Sequence, residues 1–248
     1  MRPPSLISYL GAAALILVLW EAASYLAGEL IIPGPGQTLA ALGREVQTRA
    51  YWVHVGASAY RICLSLALAF VTAAPLGLAL GGSRRADRYS APLIYLSYPI
   101  PKIVLLPVIL LIFGLGNLSK VFLIALIIFF QVLITTRDSA RQVTKEMRYS
   151  VKSLGADRVD FFRHVLWPVC LPGVFTSLRI GVGTAVAVLF FVESIGSEHG
   201  LGLYIINAWG AADSRVMFVG IVSLSALGVI LYEVFDLLEK RFCRWKYL

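Results

Sequence analysis

Six apolar runs, each long enough to cross a bilayer, constrain this chain more than any single motif does. A span needs about 20 mostly apolar residues, because a helix rises about 1.5 Å per residue and the hydrocarbon core is about 30 Å thick. Runs of this kind lie at residues 6–27, 56–80, 91–113, 118–136, 172–195 and 216–238. They take up most of the 248 residues and leave no room for a separate soluble domain of ordinary size. The expected fold class is therefore all-α integral membrane, with six transmembrane helices in one domain over residues 1–248. A composition of 58% hydrophobic and 15% charged residues, with a mean hydropathy of +0.80, agrees with that expectation. The first run is Ala-rich, yet it is too long for a signal-peptide core and no clear cleavage site follows it.

Basic residues set the orientation. Residues 81–90 carry Arg84, Arg85 and Arg88. Residues 137–171 carry Arg137, Arg141, Lys145, Arg148, Lys152, Arg158 and Arg163, and the C-terminal tail carries Lys240, Arg241, Arg244 and Lys246. With six spans these groups share one side with Arg2, and the other side has only Arg44, Arg49 and Arg215. Both termini and the long basic segment are expected in the cytoplasm. The net charge of +8 then needs no nucleic acid, which would require a basic face on a soluble fold.

The segment Tyr149–Pro168, YSVKSLGADRVDFFRHVLWP, is basic and amphipathic in a chain that is otherwise nearly all membrane. Gly155 interrupts its helical pattern and Pro168 is expected to close it. It is either a solvated loop helix or a docking element for a cytoplasmic partner. The spacing of Gly155, Val165, Trp167 and Pro168 resembles the second half of the signature loop of ABC importer permeases. The surrounding SLGADRVDFFRHVLWPVCLPGVFTSLRIGVG resembles permeases of the sulfonate, taurine and nitrate import family. So do PIPKIVLLPVILLIFGLGNLSKVFLIALIIFFQ at Pro99–Gln131, IIPGPGQTLAAL after the first run, and GLGLYIINAW before Gly210. The family signature opens with Glu-Ala-Ala; this chain has Tyr149, Ser150 and Val151 there, with Glu146 nearby.

The resemblance implies the transmembrane subunit of a type I ABC importer in the bacterial inner membrane. It implies a homodimer, two cytoplasmic ATP-binding subunits and an extracytoplasmic solute-binding protein. ATP and Mg would be bound by the ATPase partner, with no cofactor in this chain. Lys152, Ser153, Leu154, Gly155, Ala156, Asp157 and Arg158 would form the contact with that partner. The solute would be small and anionic or polar, like a sulfonate, taurine or nitrate; related permeases also serve vitamin precursors and other small organic molecules.

The other motifs give no reason to expect chemistry in this chain. Cys63, Cys170 and Cys243 form no CxxC pair, and His54, His164 and His199 are scattered without an HExxH, so no metal site is expected. No P-loop occurs, and the serines near Glu198 and His199 lack a nucleophile-elbow context. A secondary carrier would usually show an internal repeat or more spans, and an intramembrane enzyme would need paired catalytic groups at one depth. Ionisable residues inside spans are functional candidates by default. Lys102, Arg179 and Glu193 are the candidates for the solute pathway. For Lys102 and Arg179 two readings stand: a cationic lining, or a structural ion pair or cap on carbonyls freed by prolines.

Three packing expectations follow. Glu21 and Arg61 should snorkel outward, and Glu233 and Asp236 should be interfacial. Pro99, Pro101 and Pro107 should kink the third span and hold it at the bundle centre. Gly77 with Gly81, and Gly181 with Ala185, should let backbones approach within one subunit. On topology, a cysteine at Ser83 should resist a membrane-impermeant thiol reagent added outside intact cells, whereas one at Ala211 should react. Equal reaction at both positions would overturn the six-span orientation.

Overall fold

The computed structural model describes residues 6–246, and among these every regular element is helical. In chain order they are α1 Leu6–Ala27, α2 Pro35–Glu45, α3 Arg49–Gly82, α4 Arg84–Ser97, α5 Leu106–Phe113, α6 Asn117–Arg141, α7 Lys145–Ser153, α8 Arg158–Phe161, α9 Trp167–Ser194, α10 Leu201–Gly210 and α11 Ser214–Phe242. Five helices are long and apolar enough to cross a membrane, and α4 with Lys102–Phe113, bent by 75° at the break between them, passes the same test only if the pair is taken together as one broken span. The six expected runs are thus all helical, but three details differ.

The third run is broken rather than kinked. Pro101 has no N–H, so the Ser97 carbonyl loses its helical donor, and Pro99 and Pro101 disfavour helix at the residues before them. The chain turns and resumes as a 3₁₀ stretch at Lys102–Leu105. Within the single chain the break is not covered by other helices: Leu96, Ile100, Val104 and Leu111 are exposed. Its freed carbonyls are taken up locally by Lys102, so burial by neighbouring helices is not required. The fifth run begins earlier than residue 172, because helix extends from Arg158 into α9. Pro168 does not close it. A π-helical turn at Phe162–Leu166 precedes the proline, with Trp167 N–H donating back to the Phe162 carbonyl. Arg137, counted above with the loop, lies inside α6 and is 1% exposed.

The chain divides into two compact units, residues 1–58 with 193–225, and residues 59–192 with 226–248. In the first unit, Ala41, Tyr51 and Val219 form a core with Leu42, Val46, Val55 and Tyr204. Tyr51 and Ser223 share a hydrogen bond of 2.7 Å, Trp20 stacks on Phe218, and Trp20 Nε1 donates to the Pro33 carbonyl. In the second unit, Ile62, Leu66, Ala69, Ala73 and Leu78 of α3 are buried, as are Leu123, Ile124, Ile128 and Val132 of α6 and Val174, Val182, Ala185 and Leu189 of α9. Small residues set the spacing of these helices. A Cβ on Gly77 would lie 2.8 Å from the Leu133 carbonyl oxygen, and one on Gly81 would overlap the Arg137 carbonyl and sit 2.7 Å from the Ala140 Cβ. The GxxxG pair therefore seats α3 on α6 within this subunit.

Because the Gly81 contact is with backbone, a side chain there has nowhere to go. Gly81→Val should destabilise the α3–α6 packing by about 1–3 kcal/mol. Gly36→Ala, at a helical glycine in open space, should hold or raise stability, by up to about 1 kcal/mol. Thermal unfolding in detergent measures both, and equal midpoints would contradict the close approach.

Candidate functional site

The loop between α6 and α9 is built by local capping. Thr144 Oγ1 accepts from the Met147 N–H at 3.3 Å and opens α7. Glu146 follows in the first turn; its own backbone N–H and the Thr144 hydroxyl hold its carboxyl below the ordinary range. At the other end the Gly155 N–H donates to the Lys152 carbonyl and the Ala156 N–H to the Val151 carbonyl. That closure requires a left-handed residue, and Gly155 has φ +82°. Asp157 Oδ1 then accepts from the Val159 and Asp160 N–H groups at 2.8 Å, while Asp160 Oδ2 accepts from the Asp157 N–H. This reciprocal cap starts α8.

Lys152, Ser153, Leu154, Gly155 and Asp157 are exposed at the tip and Ala156 is half-buried; the side chain of Arg158 lies outside what the structure describes. Leu154, at 86% exposure, is a large apolar group at the tip of a polar loop. Arg148 ties the loop back, donating to the Gly82 carbonyl at 3.3 Å and lying over the Phe161 ring.

Lys102 sits where the third crossing breaks. Its ammonium donates to the Ser97 carbonyl at 2.7 Å and the Tyr98 carbonyl at 2.6 Å, and lies 4.3 Å from the centre of the Phe130 ring. It borders an open cleft of about 390 Å³, lined also by Tyr98, Ile127, Phe130, Gln131 and Val188. Gln131 Nε2 donates to Thr184 Oγ1 at 3.1 Å. The Ser97 and Tyr98 carbonyls thus hold a cation beside an aromatic face, at the edge of the open cleft.

Arg179 does not stand in that cleft. It pairs with Asp236, and with Glu239 at 2.7 Å, joining α9 to α11. Lys240 meets Asp236 at 2.5 Å and Lys246 meets Glu239 at 2.6 Å. Asp236 is therefore a network member rather than a merely interfacial charge. Arg61 is also different from its expectation: it is 4% exposed and its Nε donates to Asn117 Oδ1 at 2.8 Å, so it fastens α3 to the start of α6 instead of snorkelling.

Glu193 is fully buried, with Ser58 Oγ at 2.8 and 2.9 Å from its two oxygens and the Gly202 N–H at 2.9 Å.

Comparison with known proteins decides what this arrangement belongs to. The family model for the binding-protein-dependent transport system inner membrane component matches residues 71–244. The chain belongs to this family. It is similar to the taurine transport system permease protein TauC of Escherichia coli (strain K12), 30% identical over 95% of this chain and 88% of that one. It is similar also to the riboflavin transport system permease protein RibX of Chloroflexus aurantiacus (strain ATCC 29366 / DSM 635 / J-10-fl), 31% identical over 94% of this chain and 87% of the other. In fold it resembles a chain of the MetNI methionine ABC transporter, with a TM-score of 0.67 and 20% identity over 76% of this chain and 94% of that one. The fold is that of a type I importer permease. This protein is a transmembrane permease subunit of a binding-protein-dependent ABC importer.

Several residues of the permease escaped the sequence. His54 and His199, scattered along the chain, meet edge-to-face at 5.8 Å, and His54 Nδ1 lies 3.0 Å from the Gly200 backbone nitrogen and 2.9 Å from its carbonyl oxygen. Asp87 holds the buried Arg137 at 2.5 Å. No spacing rule pairs residues so far apart; only the Gly-rich stretch around Gly200 marked a special backbone.

The Arg179 network is testable by truncation. Arg179→Met removes one cation from two carboxylates, one of them fully buried, and such losses cost about 3–5 kcal/mol. The expected outcome is a fall in folded permease recovered from membranes, largely restored by adding Glu239→Gln and Asp236→Asn. Unchanged recovery in Arg179→Met would show that the network does not support the fold.

Proposed function

We propose that the permease imports a small anionic or polar solute, like a sulfonate, taurine or nitrate, as one six-span domain per subunit of a homodimer in the bacterial inner membrane. Two cytoplasmic ATP-binding subunits bind ATP and Mg, and an extracytoplasmic protein delivers the solute. Both termini and the α7–α8 tip face the cytoplasm. The observation that carries the solute reading is Lys102, a cation at the rim of the Tyr98–Phe130 cleft. The 30% identity to a taurine permease supports it. In this reading Lys102 lines the pathway, Arg179 acts nearer the inner side, and Glu193 stands at the outer end of the same helix.

ATP binding biases one state by differential affinity, without which nothing moves. Closure of the ATP-binding subunits displaces the exposed tip at Lys152–Arg158, and α8 with α9 carries that displacement into the membrane. A vitamin-like solute is the second reading, favoured by the 31% identity to a riboflavin permease and by the aromatic walls Tyr98 and Phe130.

Uptake by membrane vesicles holding the permease, its ATPase and its binding protein tests these readings. Labelled taurine should enter only with ATP inside, and Lys102→Met should cut uptake per assembled complex about tenfold, the effect of about 1.4 kcal/mol. Entry of riboflavin but not taurine would favour the second reading, and ATP-independent entry would point to a secondary carrier. Gly155→Trp should leave the permease in the membrane but lower ATPase recovery or uncouple hydrolysis from uptake, since a side chain at φ +82° strains the tip. Fully coupled transport in that variant would remove the docking role.

A further inference from the structure

The short helix α10 begins at a buried carboxylate. Leu201, its first residue, is fully buried, and its N–H donates to Ser58 Oγ at 2.8 Å. The next N–H, that of Gly202, donates to Glu193 Oε2 at 2.9 Å. Ser58 in turn donates to the Glu193 carboxylate, so the two side chains form one acceptor surface for the first turn. These are orphan donors that a helix start must place somewhere, and in a buried setting they have no bulk water to turn to. Negative charge at this end is favoured by the helix dipole.

Gly200 completes the arrangement. Its φ of +143° and the absence of a Cβ allow it to pass over the carboxyl, which any side chain there would overlap. His54 Nδ1 lies against Gly200, 3.0 Å from its backbone nitrogen and 2.9 Å from its carbonyl oxygen.

We infer that Glu193, acting through Ser58, is a positioning residue that fixes the first turn of α10 against α3 and α9. This role goes beyond solute choice. Glu193 lies at the C-terminal end of α9, and Ser58 lies in the N-terminal part of α3. The role of Glu193 is to accept hydrogen bonds, and a neutral amide can do the same: its oxygen can face Gly202 while its nitrogen donates to Ser58.

Amide hydrogen exchange on the assembled transporter in lipid nanodiscs tests this directly. Glu193→Ala should accelerate exchange of the Leu201–Gly210 amides about tenfold or more, with α6 unchanged. Ser58→Ala, a milder truncation that decides if Glu193→Ala does not accumulate, should accelerate the same amides. Glu193→Gln should stay within about threefold of wild type. Uptake of whichever of taurine or riboflavin the wild type imports should follow the same ranking. The exchange result stands even if neither enters, so failure of the solute reading is separable. Unchanged exchange in Glu193→Ala and Ser58→Ala, or Glu193→Gln behaving like Glu193→Ala, would overturn the inference.

Discussion

Hydrocarbon offers no hydrogen-bond donors or acceptors, so every interruption of a helix in this permease must be repaired from within the protein. The repairs are made by side chains that look out of place in an apolar chain. Lys102 donates to the Ser97 and Tyr98 carbonyls at the turn, where Pro101 cannot supply the helical N–H to Ser97. Lys120 does the same one connection later, at the carbonyls of Leu115 and Gly116, and is almost completely buried. Ser65 bonds the carbonyls of Arg61 and Val121. Glu193 and Ser58 receive the N–H groups at the start of α10.

The same economy governs helix association. Lipid tails compete with apolar side chains, so contact between helices relies on close fit and on specific polar links. Close fit comes from Gly77 and Gly81 against α6, from Gly173 against Ser139, and from Gly228 against Val186. Links come from Arg137 with Asp87, Arg61 with Asn117, and Arg179 with Asp236 and Glu239. Each joins helices that pack within the second unit.

The number and approximate limits of the crossings were legible in the sequence because about 20 apolar residues in a row leave few alternatives. The loop at Gly155 was legible too, since a glycine between a basic run and an aspartate matches the left-handed closure found there. Tertiary partners were not. Arg137 reads as one more loop charge until Asp87 is seen beside it, and Arg61 reads as an outer-end residue until Asn117 is found. The break at Pro99–Pro101 was half-legible: two prolines in three residues announce a disturbance, but neither the 75° bend nor the Lys102 contacts to the Ser97 and Tyr98 carbonyls could be read from spacing. Pro168 misled because its missing donor is absorbed by the preceding π-helical turn.

That turn has a mechanical consequence. Helix runs through it from Val159 to Ser194, 36 residues, a rod of about 54 Å that exceeds the hydrocarbon thickness. One extra residue in the turn advances the phase of the rod by about 100°. Side chains near the loop and those at the far end therefore point in directions a uniform helix would not give. The faces presented along the helix are set by that phase offset. Deleting one residue between Phe162 and Leu166 would keep the rod intact but rotate every contact beyond it.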